Sequence, residues 1–206
     1  HALKVEEPLF APALFKVRSL RVGLLGNLFT RFGSGAAPFL IPLLLQIGLQ
    51  MSPMNAGMMM LATVTGSMLV KRFAVSTVQH FGYKRVLQVN SVMLALMLAS
   101  FGLVVPGMPT WLLLVQLFIF GGFNSMQFSA MNSVTLKDME GEFASSGNSL
   151  LSMVQMLAMS MGVALAGALL TGFSDMWPAH SDERMQAIRA TFVTVALMTL
   201  AATLVF

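Results

Sequence analysis

The sequence predicts an all-α membrane protein folded as a bundle of six transmembrane helices, and two observations carry that prediction. Hydrophobic residues make up 56% of the 206 and charged residues only 10%, with a mean hydropathy of +0.79. A soluble domain carries about 25% charged residues, so this chain lacks the polar surface that water requires. Three long stretches, 32–70, 86–136 and 143–174, contain no Asp, Glu, Lys or Arg. One span needs about 20 mostly apolar residues to cross roughly 30 Å of hydrocarbon, so these stretches alone supply several.

Residues 1–19 read as a polar, proline-broken cytoplasmic linker, with Pro8 and Pro12 interrupting it. The first span is expected over about 20–48, interrupted by Arg31, Gly33, Gly35, Pro38 and Pro42. Glycine and proline are tolerated there because neighbouring helices satisfy the freed backbone groups. They fit a hinge or a static kink equally well. Pro53 is well placed to open the second span, about 54–78. A basic turn from Gln79 to Arg85 leads into the third, about 86–105. The turn Pro106-Gly107-Met108-Pro109 precedes the fourth, about 110–136, with Trp111 at an interfacial position. The fifth is expected over about 143–173 and the sixth over 187–206, separated by a polar loop that carries Asp182, Glu183 and Arg184. The chain starts at His1 and stops inside an apolar run, so both ends read as cut.

Orientation follows from the basic residues. Lys4, Lys16, Arg18, Arg21, Lys71, Arg72, Lys84, Arg85 and Lys137 fall on one side, whereas only Arg184 and Arg189 fall on the other. The positive-inside rule then places the N-terminal segment and the basic loops in the cytoplasm. The formal charge of +4 therefore reports topology, and no nucleic-acid partner is expected. The chain has no cysteine, which removes disulfides and thiolate metal sites. It also has no nucleotide-binding glycine loop, no metal-ligand cluster and no nucleophile–base pair. Neither an enzyme, a cofactor nor a metal is expected.

Arg31 is the sharpest single signal. Eleven residues into its span, it lies about 16 Å deep at 1.5 Å per residue. An arginine near the midplane is expensive, and by default it marks a functional site. It is read either as a guanidinium facing a central cavity and an anionic group of the substrate, or as a structural partner within the bundle. Asn124 and Gln127 lie three residues apart on the fourth span, and Asn148, Ser152, Gln155 and Met159 form a polar stripe on the fifth. Both stripes are candidate cavity walls, and interhelical hydrogen bonding explains them equally well. Gly162 and Ala166, with Gly167 beside them, form a small-residue face suited to close helix packing. Nineteen methionines are many; Met suits adaptable surfaces but is also common filler. All eight Asp and Glu lie in loops, as do His80 and His180. Proton coupling needs a group that titrates inside the membrane, so this chain does not carry the relay by itself.

Phe81, Gly82, Tyr83, Lys84 and Arg85, followed by Val86 and Leu87, resemble the basic turn between the second and third spans of a major facilitator superfamily transporter. Gln79 stands where that motif has an acid and Val75 where it has its first glycine, a decay usual in C-terminal halves. Three stretches, Pro42 to Pro53, Asn132 to Asp138 and Ala144 to Met153, are similar to the fourteen-span drug/proton antiporters of the EmrB/QacA type. The resemblance implies one six-helix half of that fold, a missing N-terminal six-span half, and a bacterial inner-membrane exporter of small molecules, coupled to protons. It also implies that spans one, two, four and five line the cavity, and that Gly82, Lys84 and Arg85 act in topology and gating. Arg31 and the acid-free spans suggest an alternative cargo, an organic anion such as citrate or iron-citrate. A non-transporting bundle or pore is the remaining alternative.

Overall fold

The computed structural model describes Leu24, Leu28, Arg31 and residues 33–136, 142–176 and 181–203. The expected linker over 1–19, the start of the first span and the last three residues lie outside the described residues. Six α-helices are described in full: α1 Ala37–Leu43, α2 Pro53–Phe81, α3 Tyr83–Phe101, α4 Thr110–Leu136, α5 Glu142–Met176 and α6 Ser181–Ala202. No strand occurs among the described residues. The segments Thr110–Leu136 and Ser145–Met176, 27 and 32 residues long, are long and apolar enough to cross a bilayer.

The first span is the irregular one. Arg31, Gly33 and Ser34 are helical, Gly35 and Ala36 form a turn, and α1 follows with Pro42 inside it. Proline lacks the N–H that an internal helical position donates. Directly after it the helix widens to a π turn over Leu44–Gly48, in which Leu49 N–H donates to Leu44 O at 2.8 Å. The glycines upstream serve close approach. A Cβ on Gly33 would overlap Thr199 Oγ1 of α6, and one on Gly35 would lie 3.1 Å from Met159 Cα of α5. The first span is thus wedged between α5 and α6.

Ser52 caps α2 by accepting from Asn55 N–H at 3.3 Å, with Pro53 in the first turn. Gly82 ends α2 and begins α3 at φ 79°, ψ 151°, a region open essentially only to glycine. Gly82→Ala is therefore expected to lower stability by about 1–3 kcal/mol through backbone strain. Nothing lies within 4 Å of the added methyl, so a lower melting temperature in detergent with an unchanged helical circular dichroism spectrum checks the strain directly. The sixth helix starts at Ser181, earlier than the 187 expected from the polar loop. Asp182 and Glu183 fall in its first turn.

The most extensive packing is α2 on α4, followed by α3 on α6 and α3 on α4. The contacting pairs map onto one another when the first, second and third helices are exchanged with the fourth, fifth and sixth. Thus α2–α4 exchanges with α5–α1, and α2–α3 with α5–α6. This is the signature of two three-helix repeats. The core lies among α1, α3, α4 and α6, around Phe101, which meets Phe120 edge-on at 5.6 Å and Phe192 at 5.5 Å. Arg189 of α6 fastens one end of the bundle, its Nε and Nη2 donating to Val104 O at 3.0 and 2.6 Å. By contrast, α2 and α5 expose methionine-rich faces, including Met54, Met58 and Met68 on α2 and Met153, Met156 and Met161 on α5.

Candidate functional site

Polar and charged side chains from three helices converge on one face of α4. Asn124, Phe128 and Asn132 lie four residues apart along it, which stacks them on a single stripe. Arg31 reaches the stripe from the first span, its guanidinium carbon 4.7 Å from the centroid of the Phe128 ring. Such stacking of a cation on an aromatic face is worth roughly 0.5–2 kcal/mol, more as water is excluded. From α5, Gln155 Nε2 donates to Asn132 Oδ1 at 2.6 Å. The Gly35–Met159 approach sits one turn beyond Arg31 and one turn beyond Gln155, so the close packing of the first span on α5 sets the level of both side chains. Arg31 and Asn124 are half-buried, whereas Asn148 and Ser152 are exposed on α5, two turns and one turn before Gln155 respectively. The result is an open wall with one fixed positive charge, amide groups and an aromatic ring.

Gln127 stands apart from the other candidates. Three residues from Asn124, it turns toward α3 and is buried there. Asn90 Nδ2 donates to Gln127 Oε1 at 2.7 Å and to Phe123 O at 2.9 Å, and Gln127 Nε2 donates to Ser91 Oγ at 2.9 Å. This network joins α3 to α4 and faces away from the Arg31 wall. Gln127→Leu removes two interhelical hydrogen bonds and is accordingly expected to lower stability by about 1.2 kcal/mol, about 0.6 for each; melting of the variant in detergent checks this.

Lys84 and Arg85 are exposed in the first turn of α3, directly after Gly82. Phe128 and Asn132 are functional candidates that sequence reasoning passes over. Asn132 carries a readable signal, a polar residue eight positions from Asn124 on the same face, whereas Phe128 looks like any other apolar residue of its helix. Among the described residues no cluster of His, Cys, Asp or Glu has the makings of a metal site.

Comparison with known proteins matches the Major Facilitator Superfamily model to residues 23–206. The chain belongs to the Major Facilitator Superfamily. It is a membrane protein, an all-α helical bundle forming part of that fold. It is 49% identical over 174 residues to the MdtD protein of Serratia proteamaculans, covering 84% of this chain and 36% of that protein. It is 45% identical over 208 residues to MdtD of Cronobacter sakazakii, covering 100% of the chain and 44% of the relative, and 42% identical over 207 residues to MdtD of Citrobacter koseri. Each of these relatives bears a multidrug-resistance name. The chain spans less than half of their length. Within this superfamily frame, the first span, α4 and α5, which build the Arg31 wall, are three of the four helices expected from the resemblance to line a cavity.

Proposed function

We propose that this chain is the C-terminal six-span half of a secondary-active exporter, which moves small molecules out of the bacterial cytoplasm by alternating access. The observation that carries the reading is the convergence of Arg31, Phe128, Asn132 and Gln155 from three helices. Transporter sites of this kind lie near the midplane between repeats. The missing N-terminal half covers the exposed faces of α2 and α5 and closes the other side of the site. The similarity to proteins named for multidrug resistance supports amphipathic drugs as cargo, and an aromatic and methionine-bearing wall suits a varied apolar ligand. The inner membrane is the proposed location, with the end of the bundle that carries Lys84 and Arg85 facing the cytoplasm.

Proton coupling falls to the missing half. The long uncharged stretches 32–70, 86–136 and 143–174 hold no Asp or Glu, and a proton relay needs a carboxylate or histidine within the membrane. Arg31 favours a second reading, in which the cargo is an organic anion such as citrate or iron-citrate. Proteoliposomes holding the full-length protein test both. Saturable, pH-gradient-driven transport of a cationic dye supports the drug exporter, and the same behaviour with citrate supports the anion exporter. A flux that never saturates and ignores the pH gradient makes the protein a pore and ends both readings.

A further inference from the structure

The end of the bundle that carries the basic turn holds a groove separate from the Arg31 wall. It measures about 440 Å³ and is lined by Phe81 of α2, Arg85, Val86 and Val89 of α3, and Phe123 and Met126 of α4. Asn90, 4% exposed, closes the floor with its amide already donating to Phe123 O and Gln127 Oε1. Thr77 of α2 also lines it, its hydroxyl donating to Phe73 O at 2.8 Å, so the lining is apolar apart from that bonded hydroxyl, the Asn90 amide and one charge, that of Arg85, which is exposed. Lys84 stands beside it, also exposed, and no Asp or Glu occurs between Glu7 and Asp138, so the three helices that form the groove carry no acidic residue.

The apolar surface continues beyond the groove. Val89 and Leu96, two turns apart on α3, are 59% and 54% exposed. From Arg85 to Leu96 the helix rises about 16 Å at 1.5 Å per residue, close to one leaflet of a hydrocarbon core about 30 Å thick. A positive charge at the membrane boundary above an apolar strip one leaflet long matches a molecule with an anionic head and one long hydrocarbon tail. Basic pockets between membrane helices on the cytoplasmic side hold anionic headgroups in the same way.

We propose that this groove binds an anionic phospholipid, with one acyl chain along Val89 and Leu96 and the headgroup phosphate on Arg85. Arg85 is exposed, so its replacement leaves the fold standing, and Val89→Trp fills the groove without touching the charge. The full-length protein is purified in detergent, and the lipid it retains from equal amounts of phosphatidylglycerol and phosphatidylcholine is measured by native mass spectrometry. Wild type is expected to retain phosphatidylglycerol about fivefold over phosphatidylcholine, the preference that one basic residue near a charged surface supports. Arg85→Gln is expected to abolish that preference, Val89→Trp to lower retention of both lipids, and Leu197→Trp on α6, outside the groove, to change neither. Excess inorganic phosphate is expected not to displace the lipid. Equal retention of the two lipids by wild type, retention unaltered in both groove variants, or no retained lipid overturns the proposal. Displacement by inorganic phosphate assigns Arg85 to a free anion and likewise overturns it.

Discussion

Gly66→Ala is expected to cost the fold about 3 kcal/mol, the upper end of the usual penalty for overpacking. A Cβ on Gly66 would overlap the carbonyl oxygen of Phe118 and lie 2.9 Å from its carbonyl carbon. The obstacle is backbone, so no side-chain rotation relieves it, and α2 must move away from α4. The crossing is reciprocal: a Cβ on Gly121 of α4 would overlap Thr63 O of α2 and lie 2.8 Å from the Thr63 carbonyl carbon. Ser67 Oγ joins the two helices there, 2.9 Å from both Thr63 O and Gly121 O. In a membrane no hydrophobic driving force holds helices together, and close backbone approach through small residues replaces it. Gly121→Ala is expected to cost a similar amount. The double variant is expected to cost less than the sum, because one separation relieves both clashes. Gly172→Ala, with nothing within 4 Å of its added methyl, is expected to leave the melting temperature unchanged or raised. Detergent melting of the four proteins checks all of this, and equal melting of Gly66→Ala and Gly172→Ala would contradict it.

The second large effect is expected at Arg31. Its replacement by alanine removes the one charge of the wall and leaves Phe128 without the cation that stacks on it. Hydrogen bonds to a charged group contribute about 1.5–3 kcal/mol, so transport of a cargo held by Arg31 is expected to fall roughly 10- to 100-fold in kcat/KM. Arg31→Lys keeps the charge but not the planar face that stacks on a ring, and an intermediate loss is expected. Phe128→Leu, with the arginine intact, is expected to act in the same direction and more weakly. Initial rates in proteoliposomes check the order. If Arg31→Ala abolishes anion export and spares a cationic dye, the guanidinium holds the anion. If both fluxes fall equally with an unchanged melting temperature, it organises the wall for every cargo.

The sequence and the structure part company in instructive places. The membrane class and the six-helix layout follow from composition and from the length of the uncharged stretches, because a bilayer imposes both. Arg31 is conspicuous because a charge inside an apolar run is costly and so stands out. Phe128 is not conspicuous, since an aromatic residue in a membrane helix is ordinary until something stacks on it. Gln127 is misleading for a geometric reason. A residue three positions from Asn124 shares its general face, yet the remaining rotation of about 60° is enough to turn one side chain to the wall and the other to α3. Its partners Asn90 and Ser91 are as polar as it is, but which helices pack together is not written in any one of them.

The glycines teach the same lesson. The small-residue face on the fifth span, Gly162 and Ala166 with Gly167, catches the eye in the sequence. In the structure Gly162 and Ala166 are buried, while nothing lies within 4 Å of a Cβ on Gly167. The close backbone crossing is instead at Gly66 and Gly121, two glycines 55 residues apart whose approach to Phe118 and Thr63 depends on the topology. The start of α6 differs because polarity marks where an apolar span begins, whereas the helix itself begins at Ser181.

The central claim is that the Arg31 wall of the first span, α4 and α5 lines a water-filled transport path. The chain contains no cysteine, which makes accessibility the most direct measurement. Asn124→Cys, Ser152→Cys and Leu197→Cys are placed singly in a full-length protein otherwise free of cysteine, and exposed to a membrane-impermeant maleimide. The account predicts labelling of Asn124→Cys and Ser152→Cys that a transported substrate slows, and no labelling of Leu197→Cys on the exposed outer face of α6. Failure of both wall positions to label, at the level of Leu197→Cys, would place the wall against lipid and contradict the account.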